Sequence, residues 1–263
     1  MSAQVAALVG AHLSDRRRSI LAWGLPLGLM SAFIVAIFPS VQEPIEKAVN
    51  SYPAGLKEAF GIGQLSSVEQ YLHAEMLSLI VPLALGYLAV RAVASGLAGA
   101  AESGRLDVLL SAPASRSRIV AAGFLATAVE LAAVLLVTGL LTAVGSLLAG
   151  AGLAAGPAAA GFANVWPLAL LFAGLGIVVC GFSLRTSVVT GSVAGVLVAM
   201  YVIDLVGRLD DGLSWVRYAS VFKYYGNAIE DGIEPLAFAG VTLAAVLLAV
   251  LGARLFERRD VAA

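Results

Sequence analysis

Residues 131–184 read LAAVLLVTGLLTAVGSLLAGAGLAAGPAAAGFANVWPLALLFAGLGIVVCGFSL, and none of them is charged. A helix needs about 20 apolar residues to cross a hydrocarbon core of roughly 30 Å. The run is therefore too long for one crossing, and its Gly/Ala/Pro-rich stretch 150–161 divides it into two. Working outward, uncharged runs recur along the whole chain. Their spacing predicts an all-α polytopic membrane protein, a single transmembrane domain over 1–263 with six transmembrane helices. The spans are 20–38, 72–93, 119–148, 165–181, 187–203 and 236–255. Composition agrees: 60% of the 263 residues are hydrophobic and 13% are charged, whereas a soluble domain carries about 25% charge. Sixteen Lys and Arg against seventeen Asp and Glu give a net charge of −1. There is no basic field to attract nucleic acid. A single cysteine, Cys180, excludes an intrachain disulfide.

Basic residues set the orientation. With the N-terminus cytoplasmic, Arg16, Arg17, Arg18, Arg91, Arg105, Arg116, Arg118, Arg185, Arg254, Arg258 and Arg259 fall inside, and only Lys47, Lys57, Arg208, Arg217 and Lys223 fall outside. Six spans return the C-terminus to the cytoplasm. Arg91 is expected to snorkel to the interface. The run after Arg18 exceeds the 7–15 apolar residues of a signal peptide, so an uncleaved first span is favoured. Residues 1–18 read either as an amphipathic helix on the inner leaflet or as a frayed tail. The loop 39–71 has helical spacing at Val41, Ile45 and Val49, and predicts short helices at the outer surface. The segment 206–235, with Trp215, Tyr218, Phe222, Tyr224, Tyr225, Gly226 and Gly232, reads either as a piece that rests on or dips into the outer face, or as a solvated connector.

The cytoplasmic segment between spans two and three carries the most information. It runs Glu102-Ser-Gly104-Arg105-Leu106-Asp107-Val-Leu109-Leu110-Ser-Ala-Pro113-Ala-Ser-Arg116. Leu106, Leu109 and Leu110 form one apolar stripe at i, i+3, i+4, the acids and Arg105 lie on other sides, and Pro113 ends the helix. Such a rod either docks in a partner's groove or rests on lipid.

This segment resembles the cytoplasmic motif of ABC-2 type exporter permeases, the membrane subunits of ATP-driven exporters. The family pattern is an acidic pair, Gly, Leu-acid-x-Leu-Leu, then small-Pro-x-x-Arg. The chain departs from it at Ala101, where the family has the first acid, and at Arg105. Arg217 to Gly232 is similar to the family's outer segment before the last span, and Phe256-Glu-Arg258-Arg259-Asp260 to its ending. Residues 71–118, with Ser51-Tyr52-Pro53 before them, resemble exporters of polyketide antibiotics. The resemblance implies that residues 99–113 form a coupling helix seated in a separate ABC ATPase subunit. It also implies two ATPases beneath a twelve-span pathway made with a second permease, a copy or a paralogue, and re-entrant outer helices before span six. The location is the inner or plasma membrane of a bacterial cell, and the cargo an amphipathic drug, antibiotic or lipid. No G-x-x-x-x-G-K-[ST] occurs, so no cofactor is expected on this chain; ATP and Mg would sit on the partner.

Glu130 is the one acid inside span three. Twelve residues past Arg118, it is expected about 18 Å deep, near the midplane, where a carboxylate costs roughly 2.5–3.5 kcal/mol. It must face protein, as a gating or substrate contact or as a structural hydrogen bond. It also carries the alternative function, a proton-coupled secondary transporter. His73-x-Glu75 lacks a third metal ligand, and neither HExxH nor G-x-S-x-G occurs. A membrane enzyme would need a catalytic cluster that the sequence does not supply.

Overall fold

The computed structural model describes the backbone of residues 3–51, 67–104 and 115–258, and the side chains of 16–44, 47, 67–104 and 115–258. Six of its helices contain stretches long and apolar enough to cross a membrane: Arg16–Pro44, Val68–Glu102, Arg116–Ala149, Ala155–Phe182, Thr186–Leu209 and Pro235–Glu257. The elements are α1 (Ala3–Ser51), α2 (Val68–Leu72), a π-helical turn (His73–Leu77), α3 (Ile80–Glu102), α4 (Arg116–Ala149), α5 (Ala155–Phe182), α6 (Thr186–Leu209), a 3-10 segment (Asp211–Ala219), α7 (Val221–Tyr225), α8 (Ala228–Asp231) and α9 (Pro235–Glu257). No strand occurs among the described residues.

Three boundaries differ from the sequence reading, each for a local reason. The break in the long uncharged run is confined to residues 150–154. Gly150 ends α4 at φ +63°, a left-handed cap that glycine takes without a Cβ penalty. The next helix starts at Ala155 rather than near 165, because Pro157 falls in its first turn, where no backbone N–H is needed. At the N-terminus, the amphipathic stretch and the first span are one helix, α1, which also runs through Pro26, Pro39 and Pro44. The second span starts earlier, at Ser67. Its hydroxyl and Gln70 form a capping box.

The helices pack through small residues. A Cβ on Gly24 would meet Val137 and one on Gly28 would meet Leu141, while Gly145 faces Ala32. The register repeats turn by turn in the same direction, so α1 and α4 lie parallel. Likewise Gly174 faces Ala245, Gly252 faces Ile177 and Val178, and Gly181 faces Leu255, making α5 and α9 parallel. Lipid tails are as apolar as leucine, so such contacts hold by close backbone approach rather than by the hydrophobic effect. α3 and α5 are the most enclosed of the crossing helices, and α6 and α9 the least. Large side chains such as Leu136, Leu140, Leu243 and Leu247 point outward, as they must if lipid is the solvent.

Gly252 is the tightest test of this packing. An added Cβ would lie 2.6 Å from the Val178 nitrogen and 2.7 Å from the Ile177 carbonyl carbon, and backbone cannot turn aside. Gly252→Leu is expected to lose about 1–3 kcal/mol by overpacking. Thermal unfolding in detergent measures it, and an unchanged midpoint would show that α9 does not seat on α5 in this way.

Candidate functional site

The Gly-x-Leu-Asp-x-Leu-Leu motif begins where α3 ends. Glu102 is its last helical residue, and Gly104 follows at φ +68°, a conformation open to glycine. The Glu102 carboxylate reaches the first residue of α6. Its Oε1 accepts from the Thr186 backbone N–H at 2.9 Å, and its Oε2 accepts from the Thr186 hydroxyl at 2.7 Å. Helix N-termini expose unpaired N–H groups and carry positive partial charge, so an acid there is favoured. The contact spans 84 residues of sequence and ties the C-terminal end of α3 to the start of α6. Arg105, Leu106, Asp107, Leu109, Leu110 and Pro113 lie outside the described residues. Arg116, at the far side of the motif, opens α4.

Glu130 is buried, and its partner is Arg16. Arg16 Nη1 donates to Glu130 Oε2 at 2.6 Å and to the Thr127 hydroxyl at 2.8 Å, and its Nη2 donates to the Ala92 carbonyl at 3.5 Å. The guanidinium thus joins α1, α3 and α4. Sequence reasoning saw both residues but did not pair them. The available signal was that both stand close to the start of an uncharged run, Arg16 three residues before Ser19 and Glu130 directly before Leu131.

A second buried acid, Asp204, lies at the opposite end of α6 from Thr186. Asp204 Oδ2 accepts from Arg208 Nε at 2.7 Å, and its Oδ1 accepts from Arg217 Nε at 2.9 Å. The second pair fastens the 3-10 segment to the end of α6. Beyond it, Phe222 is buried with its ring edge-on to Tyr201, centroids 5.4 Å apart. The Tyr225 hydroxyl donates to the Leu77 carbonyl at 3.0 Å, and Asn164 Nδ2 donates to the Tyr225 carbonyl at 2.5 Å. Burial pushes the Tyr225 phenol above its usual range. Gly226 and Gly232, at φ +62° and +80°, make the turns around α8, while Tyr224 stays half exposed. These candidates are therefore a packed cap of short helices on the π-helical turn, α5 and α6.

Two cavities stand out. One, of about 830 Å³, lies between the C-terminal half of α4 and the N-terminal half of α5, with Leu136, Leu140, Phe162, Trp166 and Phe238 on its walls. Its lining suits apolar or aromatic groups. The other, of about 360 Å³, has Arg16, Arg18, Arg91 and Glu130 in its wall. Among the described residues, no three His, Cys, Asp or Glu side chains gather as metal ligands.

Residues 7–257 match the family model described as multidrug efflux system permease Rv1217c, C-terminal domain. No curated protein gives a significant match.

Proposed function

The chain belongs to this multidrug efflux permease family, and from that premise we propose that it is the membrane subunit of an ATP-driven exporter of the ABC-2 type, worked by a separate ATPase. The observation that carries the proposal is the joint at Glu102. The residue that opens the cytoplasmic Gly-x-Leu-Asp-x-Leu-Leu motif also caps α6 through Thr186. A load applied to the motif is thereby handed to two crossing helices at once. With no phosphate-binding loop in the sequence, the energy must come from outside this chain. The cargo in this reading is an amphipathic drug, antibiotic or lipid, in keeping with the apolar cavity between α4 and α5. The cell location is the inner membrane of a bacterium.

A twelve-span pathway requires a second permease, a copy or a paralogue. Ser187, Gly191, Gly195 and Ala199 recur every fourth residue on the exposed side of α6, and a Cβ on Gly191 or Gly195 would meet nothing. Two such faces can approach closely. In a Cys180→Ala background, Gly195→Cys is expected to cross-link chain to chain under mild oxidation, since a disulfide needs Cα atoms within about 7 Å. Monomer alone on a non-reducing gel would count against pairing along α6.

The secondary-transporter reading loses support because Glu130 is committed to Arg16. Co-expression with a candidate ABC ATPase subunit from the same genome, followed by drug uptake into inverted vesicles, tests the choice. Uptake is expected to need ATP and to survive an uncoupler. Uptake that persists without ATP and stops with the uncoupler overturns the proposal.

A further inference from the structure

The charges around the smaller cavity share one level. Residues 19–42 of α1, 76–90 leading through α3 and 131–149 of α4 are uncharged. At 1.5 Å per residue these runs span about 22–36 Å, one hydrocarbon thickness. Arg18, Arg91 and Glu130 stand at their inner ends. Below that level α3 continues for about 16 Å to Glu102, and α4 reaches back about 21 Å to Arg116. Glu130 therefore lies at the inner boundary of the bilayer rather than at its midplane.

The cavity at this boundary has Arg16, Arg18 and Arg91 in its wall against one acid, Glu130. That acid is taken by Arg16. Arg18 and Arg91 are exposed, and neither forms an ion pair among the described residues. Trp23, half-buried and 6.1 Å from the Tyr87 ring, flanks the cavity together with Leu88. Two guanidiniums without an ion pair among the described residues, beside an indole and aliphatic groups at headgroup depth, match a phosphate on an apolar tail.

We propose that this cleft binds a phosphate oxyanion, carried by an anionic phospholipid of the inner leaflet. The site is separate from the ATPase joint, and its failure would leave that joint untouched. The full chain with Trp166→Phe and Trp215→Phe keeps Trp23 as the last of its three tryptophans. In vesicles, quenching of Trp23 by brominated phosphatidylglycerol is compared with quenching by brominated phosphatidylcholine. Each basic residue near a lipid surface contributes about five-fold in affinity. The anionic lipid is thus expected to be preferred by about ten-fold or more, and Arg18→Gln with Arg91→Gln should bring the ratio close to one. Arg17→Gln, an exposed neighbour outside the cavity, should leave it unchanged, and free inorganic phosphate should not relieve the quenching. The proposal is overturned if the two lipids quench equally, if the preference survives the double variant, or if Arg17→Gln removes it as fully. Relief by free phosphate would likewise overturn the lipid as the source.

Discussion

Glu130→Leu is expected to cost about 3–5 kcal/mol of stability, because it strands a guanidinium inside the bundle. The Glu130 side chain is 2% exposed and that of Arg16 is 13% exposed, so water in the cavity that they line replaces the lost carboxylate only in part. Arg16 would keep only the Thr127 hydroxyl and the Ala92 carbonyl, which are neutral acceptors. A typical fold has 5–15 kcal/mol to lose, so the single variant should unfold many degrees earlier in a fixed detergent. Arg16→Met/Glu130→Leu removes both charges and should recover most of the loss, since a buried pair is worth little beyond an apolar replacement. Thermal melts of the four proteins in the cycle measure this. A Glu130→Leu protein as stable as the parent, or a double variant no better than the single, would show that the pair does not hold α1 to α4.

The number and kind of elements were legible because they depend on one quantity, the length of uncharged sequence between charges. Where a short-range steric term competes with that quantity, the sequence misleads. Gly156 and Pro157 look like helix breakers, yet both sit in the first turn of α5, where their costs vanish. The Glu130 pair was hidden for a different reason. Its residues are 114 positions apart, and nothing in a single sequence states that α1 and α4 lie parallel in that register. A partial signal existed in Gly24, Gly28 and Ala32, spaced four apart on one face of α1. The Glu102–Thr186 contact was equally out of reach. A helix start attracts any nearby acid, and only the fold says which acid is near.

Leu106→Asp and Glu102→Ala are expected to abolish transport by two different failures, and the contrast tests how force enters the membrane. Leu106 belongs to the apolar stripe with Leu109 and Leu110. In the proposed docking with an ATPase, a carboxylate there would be desolvated without a partner, which costs several kcal/mol. The ATPase should then no longer copurify. Glu102 sits at the other end of the joint. Its removal leaves the leucines in place but frees the Thr186 N–H and hydroxyl, releasing the start of α6 from the end of α3 while the packing of Gly86 on Leu197 remains. The ATPase should still copurify and hydrolyse ATP, while drug uptake falls at least ten-fold, the equivalent of about 1.4 kcal/mol of lost coupling. Thr186→Val, which keeps the backbone donor and loses the hydroxyl, should fall between the parent and Glu102→Ala. If Glu102→Ala transports normally, the stroke reaches the pore through α3 and α4 alone. If it releases the ATPase as Leu106→Asp does, Glu102 belongs to the docking surface rather than to the relay.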